Sequence, residues 1–285
     1  MLLSDANVTT KNNIQLVFFD VDGTLLAQDG NYSPSLKQQI HRLHSLGVKT
    51  AIASGRPSYA AQFLFDELGI CDLGVFCTGA EIYLPSAKQH IQLHTLDKAR
   101  VALLAQRAKA LGIYCELYTP NYHAVEQVSD ISRVHAQHLR VAPLIADQET
   151  VLSDELPIIK LLLGRDKMGR DKTSNENSLA MLASEFPELE FAFAHFLARP
   201  NWEFASVISP LANKQAAFEL ITGHYNIAAE NVMSIGDSPS DISFIQQAGV
   251  GVAMGSAAEQ VKLEANYITL SADDDGVAFA LQRLV

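Results

Sequence analysis

The chain has 285 residues, of which 48% are hydrophobic and 19% are charged. This composition supplies enough apolar side chains for a buried core and excludes a largely disordered chain, and the length is typical of two domains or one large domain. The formal net charge of −11 argues against nucleic acid or an anionic membrane as a general partner. The three cysteines form no CxxC pair, so neither a disulfide framework nor a zinc site is predicted.

The N-terminal segment 1–13 lacks the charged and apolar regions of a signal peptide. No apolar run approaches the ~20 residues that a membrane-spanning helix needs. We therefore expect a cytoplasmic protein.

The first 80 residues alternate between predicted strands and predicted helices. One helix begins after Ser33, an N-cap followed by proline, and ends at Gly47. Short apolar runs, typical of strands that are buried on both faces, lie at 14–19, 48–53 and 73–77, with a second helix over 58–68. The alternation predicts a doubly wound α/β layer.

The pattern changes in the middle of the chain. It predicts a hairpin at 81–84 and 89–96, a helix at 97–111, strands at 113–118, 122–127 and 157–163, a solvated loop at 164–178, a helix at 178–185, and strands near 189–197 and 202–208. This mixture indicates a separate α+β module inserted into the first domain.

The α/β pattern then returns. A helix is predicted from Lys214 to about 224, followed by a strand at 231–236, a helix at 240–247, and short strands at 250–253 and 266–269. The fold class is therefore α/β, with a doubly wound, mainly parallel sheet and an inserted α+β module.

Polar residues follow three of the predicted strands. Asp20 and Asp22 end the first strand and point to the same side of an extended backbone, while Asp237 and Ser54-Gly55-Arg56 end two others. Ligands of open α/β sheets bind beyond the carboxyl ends of the strands. Two carboxylates ~4 Å apart repel by about 4 kcal/mol at an effective dielectric constant near 20, and a hard cation such as Mg²⁺ removes that cost.

Four segments carry a resemblance to a known family. FFDVDGTLL at 18–26, IASGR at 52–56, Lys214 and GDSPSD at 236–241 resemble, in order, the four motifs of the haloacid dehalogenase-like phosphatases. GVAMGSAAEQVKLEANYIT at 251–269 and DDDGVA at 273–278 resemble the C-terminal signature of the Cof-type branch.

The resemblance implies a Rossmann-like catalytic core at 1–83 and 206–285. It also implies a cap domain at 84–205, inserted after the third strand, that closes over the cleft and selects the leaving group.

The resemblance also implies a role for each matching residue. Asp20 would be the nucleophile that becomes an aspartyl-phosphate, Asp22 the general acid and then the base, and Lys214 the cation that neutralises charge on the phosphoryl group. The implied phosphate-binding residues are Val21, Ser54, Gly55, Lys214 and Ser240. The implied Mg²⁺ ligands are Asp20, Asp22, Asp237, Ser238 and Asp241.

The expected function is a Mg²⁺-dependent phosphatase that hydrolyses small phosphorylated metabolites, such as a sugar phosphate, with no nucleic-acid or membrane partner. Two alternatives stay open: a phosphomutase or phosphotransferase, and a metabolite-binding regulator with weakened catalysis. The second is motivated by Thr78, Ser240 and Ser256, which stand where the family usually has Asn, and by Gln215, which replaces a usual Gly. The sequence does not indicate an oligomeric state.

The acidic run Asp273-Asp274-Asp275 is interpreted as a solvated turn before a helix, with a metal site as the alternative.

Overall fold

The computed structural model describes Leu2 and residues 13–167, 179–194 and 201–285. The chain divides into two compact units. The first comprises Met1–Gly55, Ala61–Ile91 and Asn213–Val285, and the second comprises Arg56–Ala60 and Gln92–Ala212. The predicted domain boundaries at 83/84 and 205/206 stay a prediction.

The strands and helices are numbered along the chain. The strands are β1 (Leu16–Phe19), β2 (Lys49–Ile52), β3 (Gly74–Phe76), β4 (Glu81–Leu84), β5 (Gln89–Leu93), β6 (Tyr114–Tyr118), β7 (His123–Val125), β8 (Leu144–Ile145), β9 (Lys160–Asp166), β10 (Glu190–Ala194), β11 (Trp202–Ile208), β12 (Val232–Gly236), β13 (Val250–Ala253) and β14 (Tyr267–Ile268). The helices are α1 (Pro34–Ser45), α2 (Gln62–Leu68), α3 (Lys98–Ala110), α4 (Asp130–Leu139), α5 (Gln148–Ser153), α6 (Leu179–Glu185), α7 (Lys214–Tyr225), α8 (Ile242–Gln247), α9 (Glu259–Glu264) and α10 (Gly276–Leu284).

The first unit is built on a five-stranded parallel sheet in the order β14-β13-β12-β1-β2. Strand β1 is apolar along its whole length because both faces of the sheet are covered. Val17 and Phe19 pack into one core, and Leu16 and Phe18 pack into the core on the opposite face. This arrangement is the predicted doubly wound, mainly parallel fold.

Short connections link this sheet to a smaller one. Ser33 caps α1 by accepting a hydrogen bond from the backbone N–H of Leu36 at 3.0 Å, as its position before Pro34 predicts. After β2, the N–H of Ser54 donates to the carbonyl of Val75 at 2.9 Å and so continues the parallel order into β3. Strands β3, β4 and β5 form a separate three-stranded sheet.

The second unit contains a six-stranded sheet in the order β10-β11-β9-β6-β7-β8. Neighbouring strands are antiparallel except for β7 and β8, which are parallel. The inward-facing residues of this sheet pack with apolar residues of α3, α5 and α6 in one core. The predicted α+β character of the middle section is confirmed.

Several elements of the second unit differ from the sequence-based prediction. Residues 164–166 extend β9 rather than open a loop, because they pair with Phe204, Glu203 and Trp202 of β11. Helices α4 and α5 were not predicted. The remainder of the predicted loop, 168–178, and the end of the predicted strand, 195–197, lie outside the described residues.

Across the residues that the structure describes, no helix combines the length and the hydropathy needed to cross a bilayer.

Candidate active site

Two aspartates follow adjacent parallel strands. Asp20 comes directly after β1, and its backbone N–H donates to the carbonyl of Ile235 in β12 at 3.0 Å. Asp237 comes directly after Gly236, the last residue of β12. Because β1 and β12 run parallel with Phe19 opposite Ile235, both carboxylates emerge at the same edge of the sheet.

Asp20, Asp237 and Asp241 form a carboxylate cluster. Each offers an oxygen that lies within 4.8 Å of the others. Asp241 is fixed by Ser238, whose backbone N–H and hydroxyl donate to its Oδ2 at 3.0 and 2.8 Å. Asp237 Oδ1 is buried and has no hydrogen-bond partner among the described residues, which marks it as an acceptor that lacks a ligand.

Lys214 places a positive charge beside this cluster. It is the first residue of α7, after Asn213, whose side chain caps the helix. The Lys214 ammonium donates to Asp241 Oδ1 at 3.3 Å and to Ser240 Oγ at 3.2 Å. Since the Lys214 side chain is only 9% exposed and that of Asp241 only 4%, this ion pair is little screened by solvent.

The crowding of acidic groups perturbs their protonation. Burial, and then repulsion by Asp241, Asp237 and Asp22, raise the pKa of Asp20 well above its usual value, and Lys214 acts in the opposite direction. Burial, and then repulsion by Asp241 and Asp22, raise the pKa of Asp237 to about 7. A bound cation would favour the charged form of both carboxyl groups and reverse these shifts.

The turn after Asp20 is closely fitted against Asp237. Asp22 is half-buried and bridges to Leu26, and the N–H of Gly23 donates to the Leu26 carbonyl at 3.0 Å. Gly23 has a φ of +80°, and a Cβ at this position would lie 2.3 Å from Asp237 Oδ2. Val21 is fully buried in the same turn. Glycine is therefore required at position 23 both by the backbone conformation and by the space that the carboxylate occupies.

Polar residues that follow β2 lie beside residues 77–79. Ser54 is buried, and its carbonyl accepts a hydrogen bond from the Thr78 N–H at 3.2 Å. A Cβ on Gly55 would lie 3.5 Å from Thr78 Oγ1, which places the two residues side by side. Thr78 has a φ of +60° and Cys77 a φ of +49°, the left-handed region that Asn tolerates better than a β-branched residue. The usual Asn at this position therefore has a backbone reason as well as a chemical one.

The structure gathers most of the residues predicted for the site. Hydrogen bonds link Ser240 to Lys214 and Ser238 to Asp241, beside the carboxylates of Asp20 and Asp237. Asp22 is close enough to act on the pKa of both Asp20 and Asp237. Ser54 and Gly55 stand at the end of β2, the strand that pairs with β1. Ser256 is exposed in the turn after β13.

The sequence did not single out Gly236. A Cβ at Gly236 would lie 2.6 Å from the Cβ of Asp241, so this glycine gives the Asp241 carboxylate its position. The signal that the sequence carries for this glycine is the Gly-Asp pair at the end of a predicted strand.

The sequence profile of a family described as "haloacid dehalogenase-like hydrolase" matches residues 17–281. Among curated proteins, the chain is 26% identical over 275 residues to a 5-amino-6-(5-phospho-D-ribitylamino)uracil phosphatase of Bacillus subtilis, covering 94% of this chain and 96% of that protein. It is also 25% identical over 302 residues to another phosphatase of B. subtilis, covering 95% of this chain and 100% of that protein.

Solved structures agree with these relatives. A haloacid dehalogenase-like hydrolase from Bacteroides thetaiotaomicron superposes with a TM-score of 0.82 at 27% identity, covering 95% of this chain and 100% of that one. A sugar phosphatase of haloacid dehalogenase subclass IIB superposes with a TM-score of 0.77 at 25% identity, covering 94% and 98% of the two chains.

Proposed function

The chain is a phosphatase of the haloacid dehalogenase-like hydrolase family, and on this premise we propose that it depends on Mg²⁺ and hydrolyses small phosphorylated metabolites through an aspartyl-phosphate on Asp20. The observation that supports this proposal most strongly is the convergence of Asp20, Asp237 and Asp241 with the buried ammonium of Lys214 at one edge of the parallel sheet.

The residues present fit Mg²⁺. The carboxylate cluster offers oxygen ligands, which a hard cation prefers, and the buried Oδ1 of Asp237 has no hydrogen-bond partner in the part of the chain that the structure describes. Asp20, Asp237 and Asp241 would hold the ion through carboxylates, with the Asp22 carbonyl and Ser238 contributing. When bound, Mg²⁺ would neutralise charge on the carboxylates and on the phosphate.

Asp20 would act as the nucleophile. Its carboxylate forms a bond to phosphorus while the bond from phosphorus to the leaving oxygen breaks, and Asp22 gives that oxygen a proton. A water molecule then attacks the aspartyl-phosphate, Asp22 takes the proton of the water, and inorganic phosphate and free Asp20 result. Lys214 stabilises the charged form of Asp20, which attack requires.

Polar groups around the cluster would position the phosphate. The backbone N–H groups of Val21 and Gly55 and the hydroxyls of Ser54 and Ser240 can donate to its oxygens, and Lys214 supplies a charge-assisted donor. A loose phosphoryl-transfer transition state gains mainly from such positioning and charge stabilisation.

Two of the similar proteins bear on the substrate. One is named for a 5-phospho-D-ribitylamino compound and the other is called a sugar phosphatase. Both descriptions place the phosphate on a polyhydroxylated carbon chain. A phosphate ester of a sugar or a related polyol is therefore the proposed substrate class.

The test is release of inorganic phosphate from a panel of sugar phosphates, ribityl phosphates and one aryl phosphate. EDTA should abolish turnover and Mg²⁺ should restore it. Asp20→Asn should lower kcat by about 10⁴-fold or more, while its melting temperature stays the same or rises because a buried, repelled carboxylate is removed. Asp130→Asn, at a side chain that is 89% exposed, is the matched control and should keep full activity.

An active Asp20→Asn enzyme would refute the covalent mechanism. Turnover that is unchanged after metal removal would refute the role of Mg²⁺. Transfer of the phosphoryl group to a sugar hydroxyl without release of inorganic phosphate would identify a phosphotransferase instead.

A further inference from the structure

A cavity in the first unit is lined by none of the three aspartates of the carboxylate cluster. Its volume is about 270 Å³, several times the roughly 30 Å³ that a water molecule takes in the liquid. It lies between two segments: residues 24–36, which lead from Asp22 into the first turn of α1, and residues 272–278, which lead into the first turn of α10. Buried apolar residues of both segments line it: Leu25, Leu36, Val277 and Ala278. The cavity therefore has room for a small organic molecule with an aliphatic part.

The polar lining of this cavity is acidic. Asp29, Asp273 and Asp275 line it, and none of its described lining residues is Lys, Arg or His. Asp273 Oδ1 accepts a hydrogen bond from the backbone N–H of Gln28 at 3.2 Å, which ties the two segments together. Asp275 precedes α10, but its side chain does not cap that helix. The lining thus favours a positively charged occupant.

Thr24 gives a second, independent indication of a ligand. It lines the cavity, is only 2% exposed, and its Oγ1 is buried without a hydrogen-bond partner among the described residues. A buried hydroxyl in a native structure normally has a partner, and leaving one unpaired costs about 1–3 kcal/mol. A donor or acceptor on a bound molecule would satisfy it.

The lining also distinguishes between kinds of cation. The described carboxylates that converge within 4.8 Å are those of Asp20, Asp237 and Asp241, so the three around this cavity are too dispersed to form a compact metal site. A carboxylate can accept hydrogen bonds from a primary or secondary ammonium group, whereas a quaternary ammonium has no N–H to donate. The ring of Tyr32 lines the cavity as well, held by a hydrogen bond from its hydroxyl to Glu67 at 2.5 Å, and an aromatic face attracts ammonium groups.

We propose that this cavity binds a linear aliphatic diamine or polyamine, with its methylene chain on Leu25, Leu36 and Val277 and its ammonium groups on Asp29, Asp273 and Asp275. Such a ligand would join the segment 24–36, which follows Asp22, to the segment 272–278. The site is distinct from the phosphatase centre, so its failure would leave the proposed function untouched.

The test is isothermal titration calorimetry of the full chain with spermidine and with putrescine, at an ionic strength of about 0.15 M, where general attraction to an acidic surface is largely screened. Saturable binding is expected with a Kd below about 1 mM. Asp273→Asn and Asp29→Asn should each raise Kd by about tenfold or more, because each removes a charge-assisted hydrogen bond. Tyr32→Leu should weaken binding without changing the net charge.

Glu259→Gln is the matched control, because it changes the net charge equally at an exposed side chain outside the cavity. It should leave Kd unchanged. Absence of saturable heat up to about 1 mM would overturn the proposal. Equal weakening by Glu259→Gln, binding that survives both aspartate substitutions, or equally tight binding of choline or of Mg²⁺ at the same residues would overturn it too.

Discussion

Replacing Gly23 by alanine tests how closely the turn after Asp20 is fitted to the carboxylates that we propose as Mg²⁺ ligands. The added Cβ would lie 2.3 Å from Asp237 Oδ2, whereas ordinary contacts begin at 3.4 Å, so the carboxylate or the turn must shift by about 1 Å. A misplacement of this size at a catalytic group can cost about 10²-fold in rate. Alanine disfavours the φ of +80° at this position, so the free energy of unfolding should also fall by about 1–2 kcal/mol.

The measurement is kcat against Mg²⁺ concentration, together with urea unfolding. Gly23→Ala should need more Mg²⁺ for half-maximal activity and should lose about 10²-fold in kcat. Gly47→Ala is the matched control, since Gly47 has a φ of +75° and nothing within 4 Å of its added Cβ. The control should lose similar stability and keep its activity. Wild-type kinetics in Gly23→Ala, or an equal loss in Gly47→Ala, would refute the reasoning.

Three further changes address the charged groups of each unit. Lys214→Met should lower kcat by about 10²–10³-fold because it removes the cation that pairs with Asp241. Near-UV circular dichroism should show an intact fold, and a normal kcat would contradict the proposed role of Lys214. Burial lowers the pKa of His123 to about 4, so between pH 6.5 and 4 the unfolded chain binds more protons than the folded one. The free energy of unfolding should therefore fall by roughly 2–3 kcal/mol as the pH falls through that range. In urea titrations His123→Phe should reduce this dependence on pH, and an unchanged dependence would contradict the prediction. Glu116→Gln should lower the free energy of unfolding by about 3 kcal/mol in the same urea titration, because the buried carboxylate pairs with His135 at 2.8 Å. A change below about 1 kcal/mol would show that this ion pair does not stabilise the fold.

The pattern of apolar runs predicts the parallel core well because its inner strands β1, β12 and β13 are buried on both faces. Strand β1 and strand β12 read as short apolar segments ended by Asp20 and Asp237, and the structure places them side by side. Neighbouring strands of a parallel sheet bring their carboxyl ends to one edge, so the meeting of these aspartates follows from topology.

The second unit was harder to predict, for physical reasons. Helix α4 contains two histidines, an arginine and a glutamine, and only Ile131, Ser132 and Leu139 are buried, so its apolar periodicity is weak. The clearest local signal was the capping box between Ser129 and Ser132, in which serine replaces the usual Glu or Gln. The end of β9 is set by its pairing with β11, a contact with a distant segment that local composition does not encode.

Fine geometry at the site was beyond the sequence as well. The positive φ angles of Cys77 and Thr78 depend on the tertiary setting of Ser54, and neither residue type favours them. The space that Gly236 leaves for Asp241 became evident only when the strand end and the following turn were seen together.

The pairing of β1 with β12 has a consequence for biosynthesis. Leu16 of β1 is paired with Val232 of β12, 216 positions later, so one edge of β1 stays without its neighbour until most of the polypeptide has left the ribosome. At roughly 5–20 residues per second this delay is about 10–40 s. During that time the second unit, Arg56–Ala60 and Gln92–Ala212, is already available to fold, whereas the edge of β1 that pairs with β12 is still unpaired. Nascent chains halted before β12 should therefore depend on chaperones far more than complete ones.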